Sequence, residues 1–124
     1  MSVSYKRAMS IDVAQDTSYE ELNLHRHEVA RSATYAEHSS GTAIVGLAST
    51  FIIPMGGVTT ANVVYLEVDQ PVKVTFNGGA EIIALVPVTG GKAVLWLDSG
   101  AWTACSVEVD GISAALLYYM LVGV

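Results

Sequence analysis

The stretch TAIVGLASTFIIPMGGVTTANVVYLEVDQPVKVTFNGGAEIIALVPVTGGKAVLWLDSGAWTACSVEVDGISAALLYYMLV, Thr42 to Val122, decides the fold. It is a series of short segments rich in Val, Ile, Leu and aromatics. Each is cut by a turn signal: Met55-Gly56-Gly57, Asp69-Gln70-Pro71, Asn77-Gly78-Gly79, Thr89-Gly90-Gly91, Asp98-Ser99-Gly100 and Asp110-Gly111. Gly, Asn and Asp tolerate the positive φ of tight turns, and Pro presets the turn dihedral. Short β-rich runs at this spacing are the pattern of an antiparallel sandwich or barrel.

Taken in order, Thr42 to Ile53 reads as one long strand, bent at Gly46 and ended by Pro54. Val58 to Val68 and Val72 to Phe76 follow, and Asn77-Gly78-Gly79 reads as a hairpin turn. Glu81 to Val88 is nearly all apolar and reads as buried on both faces, with Pro87 marking a strand end or an edge. Lys92 to Leu97, Trp102 to Val109 and Ile112 to Val122 complete the set, the last two joined by Asp110-Gly111 as a tight hairpin. In the last segment Ile112, Ala114, Leu116, Tyr118, Met120 and Val122 share one face, and Ser113, Ala115, Leu117, Tyr119 and Leu121 the other. Both faces are apolar, which predicts a central strand or one covered by another subunit.

Working outward, residues 3 to 13 alternate as a half-buried strand, and Asp16-Thr17-Ser18 is a turn or loop. Residues 20 to 31 read as strand, and Ser32 to His38 as strand or loop; Leu22, Val29, Ala33 and Ala36 offer a competing helical stripe. His38-Ser39-Ser40-Gly41 reads as a turn. The expectation is an all-β chain of nine or ten strands, an antiparallel two-sheet sandwich like a jelly roll, with a small closed barrel as the alternative. Residues 1 to 124 form one β-sandwich domain in this reading, with 1 to 38 as an N-terminal arm or docking strands.

A chain of 124 residues hides about two-thirds of its unfolded surface, so it needs no disulfide or metal staple. It is 52% hydrophobic and 15% charged, against roughly 25% charged in an average soluble domain. That is too little polar surface for two outward sheet faces, so burial of part of the surface against other chains is expected. The net charge is −6, and the six basic residues do not cluster beyond Lys6-Arg7, which argues against direct nucleic-acid binding. No signal peptide is read at Met1 to Met9. The most apolar stretch, Ile112 to Val124, is shorter than the roughly 20 residues of a membrane span. Cys105, the single cysteine, reads as a buried, inert thiol.

Candidate chemistry is sparse. His25, His27, Glu37 and His38 invite a cupin-like metal reading, because His-x-His on a strand points both rings to one face. Glu28 follows at once, however, and no histidine exists beyond His38. The carboxylates Glu67, Asp69, Glu81, Asp98, Glu108 and Asp110 suggest strand ends and exposed positions rather than an acid–base pair. The glycine pairs Gly56-Gly57, Gly78-Gly79 and Gly90-Gly91 are hairpin turns, not phosphate loops. Trp96, Trp102, Tyr118 and Tyr119 are candidates for a sugar-binding platform, with core and subunit interface as the competing use. Tyr118 and Tyr119 are adjacent in a strand, so at most one is core. No residue is assigned a catalytic, cofactor or metal role.

The segment from Pro54 to Gly123 runs PMGGVTTANVVYLEVDQPVKVTFNGG, then an apolar strand, then VLWLDSGAWTACSVEVDGISAALLYYMLVG. In this order of elements it resembles the small β-sandwich structural proteins of tailed-bacteriophage virions. The resemblance implies a non-enzymatic virion part: a head-tail connector or collar, tail or capsid-decorating subunit. It implies synthesis in the host cytoplasm, location in the virion, and partners that are further copies and other virion proteins. A lectin-like carbohydrate-binding module and a cupin-like metal-binding protein are the alternatives.

Overall fold

Among the described residues, alternating and continuous apolar runs become ten strands: β1 (Val3–Gln15), β2 (Asn23–Tyr35), β3 (Glu37–Val45), β4 (Thr50–Ile52), β5 (Ala61–Val68), β6 (Val72–Phe76), β7 (Glu81–Leu85), β8 (Ala93–Trp102), β9 (Cys105–Val109) and β10 (Ala115–Gly123). The computed structural model describes the backbone of residues 3–15 and 23–124, and side chains from Thr34 onward apart from Ser99. The chain forms two compact units, Ser4–Thr34 and one that contains Tyr35–Val124. In the first, β1 and β2 make a two-stranded sheet. The turn expected at Asp16-Thr17-Ser18 lies outside the described residues.

The second unit is a sandwich of two four-stranded sheets, in the orders β3-β10-β5-β8 and β4-β9-β6-β7. Its strand pairs are antiparallel. Numbered one to eight along this unit, the sheets run 1-8-3-6 and 2-7-4-5, the interleaved order of a jelly roll. Four connections, 46–49, 69–71, 86–92 and 110–114, lie at one end of the sandwich. Between the sheets lie Val45, Ile53, Leu66, Val74, Phe76, Val107, Leu117 and Leu121, all almost fully buried. Trp102 tilts against Phe76 at 5.8 Å, and Tyr119 against Phe51 at 6.1 Å.

Ten strands and an open sandwich agree with the sequence reading; several connections do not. Thr42 to Ile53 is not one bent strand. The chain leaves one sheet at Val45, passes Ala48 at φ 55°, and enters the other at Thr50. A run apolar on both sides of a glycine looks the same whether it bends or changes sheets. His38-Ser39-Ser40-Gly41 is not a turn but part of β3. Gly41 is needed there because the Tyr119 hydroxyl sits 2.8 Å from where a Cβ would stand. Asp98-Ser99-Gly100 is likewise no turn. It lies inside β8, beside a register shift at Ala61/Val63, and the Gly100 carbonyl accepts a 2.8 Å bond from Asn62 Nδ2. A side chain at Gly100 would collide with the Trp102 ring. Bulges of this kind use turn-forming residues inside a strand.

Asp110-Gly111 does not close a hairpin, since β9 and β10 belong to different sheets. Gly56-Gly57 and Gly90-Gly91 also sit in connections between sheets. Asn77-Gly78-Gly79 is the true hairpin turn, joining the paired β6 and β7 through one 3₁₀ turn. Asn77, at φ 50°, accepts the Thr103 N–H at 2.8 Å on its side-chain oxygen, which ties this turn to the β8–β9 corner. β7 is an edge strand, as Pro87 suggested, but not buried on both faces: Ile82 is 63% exposed. β10 is central, flanked by β3 and β5, the first of the two placements its apolar faces suggested; Ile112 lies outside it and is 93% exposed. Its far end is clamped, for Thr59 N and Thr60 N donate to the Val124 carbonyl at 2.6 and 2.9 Å.

Candidate functional site

The register of the β3-β10-β5-β8 sheet fixes its outer face row by row, because directly paired residues point the same way. One row is Thr42, Tyr118, Glu67 and Val94; the next is Ser40, Met120, Tyr65 and Trp96. Beyond the first row, Ile44 pairs with Leu116. Tyr65 sits edge-on to Trp96 at 5.8 Å and to Tyr118 at 6.0 Å. Three aromatic side chains therefore form one packed strip on an outer face.

Beside this strip lies an open cleft of about 290 Å³. Thr42, Glu67, Asp69, Lys92, Leu116 and Tyr118 line it, with Val68 and Leu117 beneath. Glu67 is its organising group. Its Oε1 receives Lys92 Nζ at 2.8 Å, and its Oε2 accepts the Tyr65 hydroxyl at 3.1 Å. Asp69 Oδ1 accepts the Leu116 N–H at 2.7 Å, which fixes the β5–β6 corner against the start of β10.

These bonds set the electrostatics. The Lys92 ammonium, and then the Tyr65 hydroxyl, hold the Glu67 carboxyl below the usual carboxylate range. The same bond to Glu67 raises Lys92. Burial, followed by the hydrogen bond to Glu67, raises the Tyr65 phenol. A carboxylate held ionised in this way is a poor proton donor near neutrality. It is well placed to accept hydrogen bonds from hydroxyls.

The aromatic set read from the sequence divides between the two sides of the sheet. Trp96 and Tyr118 belong to the outer strip, whereas Trp102 and Tyr119 are buried in the core. Tyr65 is the partner that sequence reading missed. Its signal was its place, with Glu67, on the outward parity of β5. Glu67 and Asp69 share the cleft, but Glu81 and Asp98 are not among its lining residues. Glu108 and Lys73 are paired in register on the other sheet, and Asp110 approaches Lys73 at 3.9 Å.

Of the histidine-rich set, the side chains of His25 and His27 lie outside the described residues. Glu37 and His38 are successive in β3 and so point to opposite faces. Among the described residues no three His, Cys, Asp or Glu side chains gather as a metal-holding group. No helix among them is long and apolar enough to cross a membrane. Cys105 is buried and its thiol is pushed up to about 12 by that burial. No protein family, curated protein or solved structure matches this chain.

Proposed function

We propose that this chain is a non-enzymatic structural subunit of an oligomeric assembly, a component of a tailed-phage virion such as a connector or collar, tail or capsid-decorating protein. The jelly-roll order is common to capsid proteins, lectins and cupins, so the fold alone does not choose among them. The observation that carries the reading is the apolar surface at one end of the sandwich. Leu47, Val86, Val88 and Ile112 project from three of the four connections there, each more than half exposed.

Single exposed apolar residues are ordinary, but a concentration of them in a weakly charged chain marks a surface that other chains cover. Sedimentation velocity and electron microscopy of the purified protein test this reading. A closed oligomer is expected, and Val88→Ser with Ile112→Ser should shift it to smaller species that are still folded by circular dichroism. A stable monomer at high concentration would overturn the proposal.

A further inference from the structure

We propose that the cleft between β10, β5 and the start of β8 binds an uncharged sugar residue of a glycan. Its volume, about 290 Å³, is just below the roughly 300–1,000 Å³ of clefts that enclose drug-sized ligands, which suits one ring docked from one side. Lys92 Nζ and Glu67 Oε1 lie 2.8 Å apart, and the Lys92 side chain is 61% exposed. The ammonium has three donors and uses one on Glu67; each carboxylate oxygen keeps a second lone pair. Adjacent sugar hydroxyls both donate and accept, so two of them match this donor–acceptor pair. Tyr118 and Leu116 add an apolar wall for the C–H face of the ring, and Thr42 a further hydroxyl.

Charge narrows the ligand class. Two carboxylates face one ammonium, so the cleft carries a net negative charge that disfavours phosphate, sulfate or carboxylate groups. A cationic ligand would have to sit beside Lys92. The neutral polyol remains. The site is also prepared in advance, for Tyr65 holds Glu67 from one side while its ring packs edge-on against Tyr118. Side chains already fixed lose little freedom when a ligand arrives.

The inference does not rest on the structural-subunit reading, since sedimentation reports assembly and a titration reports binding. The test is an NMR titration of the full chain with methyl glycosides of glucose, galactose and mannose, with glycerol and methyl glucuronide as the small-polyol and anionic arms. At least one neutral hexoside should bind saturably, at millimolar concentration or better, and shift the amides of Leu116, Tyr118 and Lys92. Glycerol should not bind saturably, and methyl glucuronide should bind about tenfold more weakly. Glu67→Gln and Tyr118→Ala should each weaken hexoside binding by about tenfold. Thr42→Trp fills the cleft from an exposed position on β3 and should abolish binding in a chain with wild-type unfolding. The proposal fails if no hexoside shifts these amides, if glycerol or the glucuronide binds as well as the hexosides, or if folded Thr42→Trp binds like the wild type.

Discussion

Leu116 and Leu117 are neighbours in sequence with opposite fates. Leu117 is fully buried between the sheets and Leu116 is 49% exposed on the outer face. Truncating a buried leucine costs about 2–5 kcal/mol, and an aspartate there adds an unpaired buried charge. Leu117→Asp should therefore abolish cooperative urea unfolding, while Leu116→Asp should leave it intact and weaken hexoside binding at the cleft instead. Gly123 and Gly78 give a second contrast. A Cβ on Gly123 would run into the Thr60 carbonyl, whereas Gly78 has open space around it but φ +69°. Gly123→Ala should lower stability by about 1–3 kcal/mol through overpacking. Gly78→Ala should cost only about 1–2 kcal/mol of left-handed strain. Thermal unfolding ranks the two. Cys105, with its thiol pushed up to about 12, should resist iodoacetamide at pH 8 in the folded chain and react once urea unfolds it.

At the scale of elements, the Glu67–Lys92 pair joins β5 to the residue that precedes β8. The folded state lowers the Glu67 pKa, so this contribution is present above the unfolded carboxylate pKa and is lost as pH falls through the folded value. Lys92 is raised, so its share is present below the unfolded lysine pKa and is lost as pH rises through the folded one. Glu67→Gln should consequently be less stable than the wild type near neutrality and indistinguishable from it in strong acid. Urea midpoints measured across that range check the sign. Deleting residues 112 to 124 removes the strand that pairs with both β3 and β5, and should leave no cooperative transition by circular dichroism.

For the whole molecule, the parity of apolar residues was legible while the path of the chain was not. The two-residue period told which residues of β10 share a face, and its charge-free faces told that it would be central or covered by another subunit; which face is the inner one was not legible. Asn77-Gly78-Gly79 could be read as a hairpin because that turn joins two strands paired in one sheet. Asp110-Gly111 carries similar turn chemistry but joins strands in different sheets, and local dihedral preference does not distinguish a reversal within a sheet from a step between sheets. The cleft was invisible for a related reason. Thr42, Glu67, Lys92 and Tyr118 come from β3, β5, the approach to β8 and β10, and only the long-range register brings them together.

By itself, then, the amino-acid sequence determined what is local: strands wherever β-branched and aromatic residues run between turn formers, and a cysteine buried in a core strand. Tertiary structure decided the jelly-roll interleaving, the division of Trp96 and Tyr118 from Trp102 and Tyr119, and the pairing of Glu67 with Lys92 and Tyr65. The physical reason is range. Turn and strand preferences act over a few residues, whereas strand order is chosen by burying both inner faces at once, a condition set by all eight sandwich strands together.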